Sequence, residues 1–124
     1  MTDRPDWLHN VDHLPDAIER ALAPGIATRI VVGDEAMFSI VRFEPHSVGE
    51  IHDHPEEQWG ILVSGRGTRL QDGEEVEVSD GDFWLTPGGV PHGFRAGPHG
   101  AVVIDVFAPQ REAYRSAGCG FAQG

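Results

Sequence analysis

Residues 51–63 read Ile51-His52-Asp53-His54-Pro55-Glu56-Glu57-Gln58-Trp59-Gly60-Ile61-Leu62-Val63. Two β-prone runs, Ile51 to His54 and Gln58 to Val63, flank a Pro-Glu-Glu turn, so one strand ends and the next folds back alongside it. Side chains two apart on a strand share a face. His52 and His54 therefore point the same way and can chelate one ion. A bare His-x-His is more often a pair of surface histidines. Here the surroundings argue otherwise. Gln58 brings an amide oxygen back across the turn as a third donor, and Pro87-Gly88-Gly89-Val90-Pro91-His92 delivers a further imidazole from a Gly/Pro-shaped turn.

Outward from this stretch the language stays that of strands. Ile26 to Val32 and Met37 to Phe43 are β-branched and aromatic runs around the turn Gly33-Asp34-Glu35. Gly65 marks a turn before Thr68 to Gln71, and Asp72-Gly73 is a hairpin signal, because a type I′ turn needs positive φ at both central residues. Val76 and Val78 alternate with Glu75, Glu77 and Ser79, one face to a core and one to water. Phe83 to Thr86 and Ala101 to Phe107 complete the set. Short strands punctuated by Gly and Pro, with no long amphipathic helix, predict an all-β sandwich or closed barrel. Upstream, residues 1–22 form an arm in which Leu14 to Leu22 can make a short helix before Pro24-Gly25. The barrel is expected over 23–114 and a flexible tail over 115–124.

Composition narrows the function. The chain has 124 residues, 40% of them apolar, enough for one compact core. Nine arginines, with no lysine, are scattered among 20 carboxylates for a net charge of −11. That balance excludes nucleic acid as the expected partner, since phosphate binding needs clustered cations. No transmembrane span or secretory signal stands out, so no membrane partner and a cytoplasmic protein are expected. Cys119 is the single cysteine and reads as a bystander. His9, His13, His46 and His99 read as loop residues, and Glu56 and Glu57 as a solvated turn or competing donors.

Three imidazoles and one amide oxygen suit one borderline divalent transition ion, Mn, Fe, Co, Ni, Cu or Zn, better than Ca or Mg. All four donors, His52, His54, Gln58 and His92, are neutral. The ion would keep about two positive charges, by ligand counting, and favour an anionic oxygen in its open positions.

These motifs resemble the two signatures of the cupin superfamily. The second reads Gly81-x5-Pro87-x-Gly89-x2-His92, with Ala96 in place of its closing Asn. The first reads His52-x-His54-x3-Gln58-x6-Gly65, with His46 where Gly is usual and Gln58 where Glu is usual. The resemblance covers residues 45–96 and implies a small cupin jelly-roll β-barrel with the metal inside its mouth, and a homodimer paired through its sheets. The chain is similar further to a bacterial subgroup with a glutamine ligand, through His52-Asp53-His54-Pro55-Glu56-Glu57-Gln58, Ala23-Pro24-Gly25-x3-Arg29 and Ile104-Asp105-Val106-Phe107-Ala108-Pro109-x-Arg111-Glu112. That subgroup includes the cupins of pectin and alginate breakdown, which convert 4,5-unsaturated monouronates to the linear keto form.

The likeness implies acid/base and substrate-binding roles for Asp105, Phe107 and Arg111. Asp105 interrupts an apolar strand and needs a cavity or a partner such as Arg29 or Arg42, since a lone buried charge is costly. Arg111 offers a fork for a carboxylate, or is an exposed arginine near the end of the chain. Phe107 can stack on a sugar ring or fill the core, and Trp59 and Trp84 read as barrel or interface residues. The expected activity is that of a metal-dependent isomerase or lyase on a small anionic sugar acid or keto acid. An iron dioxygenase and a non-catalytic ligand-binding module are the competitors.

Overall fold

The computed structural model describes residues 4–121. Nine strands follow in order: β1 (Ile18–Ala23), β2 (Ile26–Val32), β3 (Met37–Phe43), β4 (Val48–His52), β5 (Glu57–Gln71), β6 (Glu74–Ser79), β7 (Phe83–Thr86), β8 (His92–Ala108) and β9 (Gly118–Cys119). A single 3-10 turn, Glu112–Arg115, separates β8 from β9. Hydrogen bonding runs β6-β5-β8-β3-β2-β1-β9, with β4 added to β8 and β7 to β5. This is the all-β jelly roll expected from the sequence. No helix among the described residues is long and apolar enough to cross a membrane.

The long strands β5 and β8 carry the architecture. Their pairing runs from Glu57↔Ala108 to Gln71↔His92, slipping between Leu62 and Ser64 and again between Gly65 and Gly67. One half of β8 pairs with β3, Met37↔Phe107 through Phe43↔Ala101. The other half pairs with β4, including His52↔His92. Each long strand thus bends from one layer into the other, and bulges allow the bend. Gly65, read from sequence as a turn, is one of these bulge positions. The Asp72-Gly73 hairpin forms as expected, with φ of 50° and 82°.

Alternation fills the interior. Ile26, Thr28 and Ile30 of β2 face Met37, Ser39, Val41 and Phe43 of β3, with Leu62, Phe94, Val103 and Phe107 closing the core. The β6 face is less buried than its pattern predicts: Val76 is exposed, and only Val78 reaches the core. On the outside, Trp59, Ile61 and Val63 of β5 and Phe83 and Leu85 of β7 form an exposed apolar stripe.

Two expectations at the chain ends are corrected. The helix over Leu14 to Leu22 is absent: Ile18–Ala23 is strand β1, paired antiparallel with β2 through Ile18↔Ile30 and Arg20↔Thr28. The segment Leu-Pro-Asp-Ala-Ile-Glu-Arg-Ala-Leu has good helix formers, but sheet pairing and burial of Arg20 and Leu22 on one face outweigh so weak a preference. The expected flexible tail is docked as far as it is described. Gly118–Cys119 pairs in parallel with β1, Arg20↔Gly118 and Ala21↔Cys119. The sheet therefore extends beyond residues 23–114 at both ends, while residues 1–3 and 122–124 of the arm and tail lie outside the described residues.

Candidate metal centre

His52 ends β4, His54 sits in the following turn, Gln58 opens β5 and His92 opens β8. Antiparallel pairing sets His52 directly opposite His92. The turn that delivers His92 folds over the one that holds His54: the Gly89 amide donates to the His54 carbonyl at 2.8 Å. Gly88 permits this closeness, since a Cβ there would lie 2.1 Å from the Pro55 carbonyl oxygen. All three histidines are buried, and their ligating atoms lie within 4.8 Å of one another.

Each imidazole is oriented by the main chain two residues away. The Nδ1 atoms of His52, His54 and His92 meet the carbonyls of Glu50, Glu56 and Val90 at 3.0, 3.1 and 2.8 Å. A carbonyl only accepts, so Nδ1 carries the proton and the Nε2 lone pair of each ring faces inward. His92 Nε2 is buried with no hydrogen-bond partner. His54 Nε2 lies 2.9 Å from Gln58 Oε1. In that tautomer both atoms are acceptors, an arrangement that suits two donors sharing a cation. Donors at right angles on an ion about 2.1 Å away would sit about 3.0 Å apart. Burial lowers the His52 pKa to about 4 and that of His92 to about 3, with His54 lowered for the same first reason. The rings are neutral at neutral pH, as ligands must be. Glu56 lies on the Nδ1 side of His54, 3.4 Å away, outside the inward-facing donors, and Glu57 is exposed.

The same interior holds Asp105, Phe107 and Arg111, lining a cavity of about 40 Å³ together with His52, Gln58 and His92. Phe107 meets the His54 ring edge-on at 5.5 Å. Asp105 Oδ1 is buried without a hydrogen-bond partner, and burial raises the carboxyl pKa to about 6 against the opposing pull of Arg69. Gly60 makes room for this carboxylate and for Trp84: a Cβ there would lie 3.0 Å from Asp105 Oδ1 and 2.4 Å from the indole nitrogen. Neither Arg29 nor Arg42 serves Asp105. They pair with Glu19 at 2.6 Å and with Asp12 at 2.9 Å, on solvated side chains.

Arg111 is not an exposed arginine. It is buried, lies over the Tyr114 ring at 4.1 Å and the Phe107 ring at 5.4 Å, and donates to the Phe121 carbonyl. Sequence reasoning missed two further buried guanidiniums, Arg20 and Arg69, of which Arg69 lines the cavity and is only 7% exposed. Its nitrogens meet Thr86 Oγ1 at 2.8 Å and Gln71 Oε1 at 3.2 Å, and its plane covers the Trp84 ring at 5.2 Å. Burial lowers its pKa to about 10, which leaves it charged. The interior of an acidic protein is thus locally cationic.

Comparison with known proteins agrees with this site. The sequence profile of the Cupin domain family matches residues 39–107, more than half of the chain. The chain belongs to the cupin family. This cupin is 32% identical over 73 residues to the oxalate decarboxylase OxdC of Bacillus subtilis (strain 168), a match covering 54% of the chain and 19% of that protein. It therefore spans about a fifth of that relative's length. It is 28% identical over 92 residues to the pectin degradation protein KdgF of Dickeya dadantii (strain 3937), covering 73% of the chain and 84% of the relative. Among solved structures, KdgF from Halomonas sp. superposes with a TM-score of 0.75 at 29% identity, over 89% of the chain and 98% of that protein. With three converging histidines inside a cupin barrel, the chain is a metal-binding cupin for one divalent transition ion.

Proposed function

We propose that this cupin is an enzyme that opens the ring of a small unsaturated uronate, or of a closely similar sugar acid or keto acid, by proton transfer beside a bound metal. The observation that carries the reading is Asp105: a buried carboxyl with an unbonded oxygen, in the same cavity as the histidine cluster. Gln58, Arg69 and Arg111 favour the ionised carboxylate, yet burial outweighs them, and a pKa near 6 suits a group that must both take and give a proton. The likeness to two proteins named KdgF, which the chain matches over most of their length, supports the choice of substrate.

In this reading His52, His54, His92 and Gln58 hold the ion, which supplies electrophilic stabilisation of negative charge developing on a substrate oxygen. Arg111 binds the substrate carboxylate through its planar fork, and Phe107 presents its ring beside His54. Asp105 takes the proton from the hemiacetal hydroxyl at C1. The C1–O5 bond breaks, leaving an aldehyde at C1 and an enolate oxygen on C5. Return of the proton from Asp105 to C4 converts the enolate to the ketone, and the change is a net isomerisation. Arg69, fixed by neutral partners, adds positive potential to a chamber that receives an anion.

The test is proton NMR of a 4,5-unsaturated monouronate with metal-loaded protein, chelator-treated protein and Asp105→Asn. Loaded protein should produce linear product, with at least about a hundredfold loss in the variant while metal content is unchanged. Metal retention without turnover would replace the reading with a ligand-binding module. Oxygen uptake dependent on ferrous iron would replace it with a dioxygenase.

A further inference from the structure

The cavity around the histidines is small for an enzyme of sugar acids. Its roughly 40 Å³ holds a few waters, whereas small-molecule pockets run to about 300–1,000 Å³. The Phe121 ring stacks on His52 with centroids 4.6 Å apart and planes at 27°. It also fills the space beside Gly49, where a Cβ would meet Phe121 Cζ at 3.2 Å. The main-chain carbonyl of the same residue accepts a hydrogen bond from Arg111. One residue thus covers a candidate metal ligand and engages the candidate carboxylate anchor.

Besides its short pairing with β1, the segment that leads to Phe121 is tied down at four points by one side chain. Arg20 is buried, rests over the Tyr114 ring at 5.0 Å, and uses two nitrogens on four carbonyls. Nη1 meets the carbonyls of Ala113 and Ser116 at 3.0 and 3.3 Å, and Nη2 those of Cys119 and Gly120 at 2.8 and 3.0 Å. The Gly120 amide returns a bond to the Ala21 carbonyl at 2.9 Å. Bonds to a charged donor are the stronger kind. Yet the strap they secure is thin: β9 is two residues long and exposed. Short edge elements with few apolar contacts occupy the low-stability end of a fold.

We propose that Phe121 is the specificity-determining gate of this cupin, a wall of the substrate chamber that Arg20 latches and an incoming carboxylate displaces. A neutral carbonyl is a weaker acceptor for a guanidinium than a carboxylate, so a carboxylated ligand exchanges for the Phe121 carbonyl on Arg111 while an uncharged sugar does not. The exchange rests on the uronate reading given above; the covering of the histidines by Phe121 does not.

The test uses metal-free protein and diethyl pyrocarbonate, which acylates neutral imidazole. Mass spectrometry follows the His52, His54 and His92 cluster against the exposed His46 and His99 as internal references. Phe121→Ala should raise acylation of the cluster about tenfold over wild type, by removing a local closing contact. Phe121→Leu, which keeps apolar bulk, should fall between, and Arg20→Gln should match Phe121→Ala. Amide exchange in β5 and β8 should be unchanged in Phe121→Ala, so that access rather than unfolding is read. Equal cluster rates in wild type and Phe121→Ala overturn the gate, as does faster acylation in Phe121→Ala accompanied by lost protection in β5 and β8. Calorimetry of metal-loaded protein with galacturonate, an unreactive saturated uronate, tests the exchange: Phe121→Ala should bind it several-fold more tightly. Identical affinities overturn the exchange. No binding by either protein, with acylation still accelerated, overturns the uronate reading and leaves the gate standing.

Discussion

The interior has two nitrogen-rich regions, one of neutral imidazoles and one of charged guanidiniums, held in opposite ways. On the imidazole side, each ring is fixed by a carbonyl two residues from itself: Glu50 for His52, Glu56 for His54 and Val90 for His92. On the guanidinium side most partners are remote, Gln71 beside Arg69 being a near one. Arg20 reaches carbonyls at residues 113–120, and Arg69 reaches Thr86 from the far end of β5. The first region can keep its ligand orientation through small adjustments of the barrel, because its geometry is set within single turns. The second exists only when the whole sheet is assembled, so it is the region that couples the chain ends to the chamber.

Removing a ligand should break the first region most severely. His92→Ala is expected to lower metal affinity by more than about a hundredfold while leaving the β-sheet circular dichroism signal in place, since even outer partners of metal ligands are worth 10–100-fold. A folded variant that binds metal as wild type does would remove His92 from the centre. Arg20→Ala should instead cost global stability, about 3 kcal/mol in urea unfolding, through loss of several charge-assisted hydrogen bonds at once. A loss below about 0.5 kcal/mol would mean that the long-range region is as locally supported as the other.

Gln58→Glu sharpens the contrast within the first region. It adds a negative charge among neutral donors and should tighten divalent metal binding about tenfold, measured by competition with a chromophoric chelator. Weaker binding would place Gln58 outside the ligand set. Acidification separates the regions in another way. In the metal-free protein the native His52 and His92 take protons only near about 4 and 3, whereas unfolded histidine does so near 6.5. As pH falls below about 6.5 the unfolded state binds protons that the native state does not, so stability declines. Asp105 acts in the opposite sense, gaining its proton near about 6 in the native state against 3.8 unfolded. The histidines outnumber it, so the urea midpoint should drop from pH about 7.5 to about 5. A rising midpoint would show that the rings are not buried neutral. The smallest effect belongs to an arginine outside both regions. Arg42→Ala removes an exposed pair with Asp12 and should change stability by less than about 0.5 kcal/mol.

Legibility in the sequence followed the same division. The short spacing and the Gly/Pro turn were enough to single out His52, His54, Gln58 and His92, although the strand expected over Ile51 to His54 ends at His52 and the turn that follows carries His54. Asp105 was marked in a similar way, because a carboxylate inside an apolar strand needs a cavity or a partner, and it lines the cavity. The helix expected over Leu14 to Leu22 failed because helix propensity is local while β1 is held by partners in β2 and β9. Arg69 was invisible for a related reason. The run Thr68 to Gln71 was read only as a strand, yet Gly67, Arg69 and Gln71 share the face that meets Phe94, and only the β5/β8 register reveals it. Phe121 carried no signal, since a Gly-rich terminal stretch gives no hint of the side chain that will receive it.

The fixed tautomers have one more consequence. With every Nδ1 proton committed to a carbonyl and every Nε2 already bare at neutral pH, an arriving ion has no proton to expel. Loading is then thermodynamically silent toward the buffer: its measured heat is the same in solutions of high and low ionisation enthalpy, unlike that of a thiolate site, which must first release its protons.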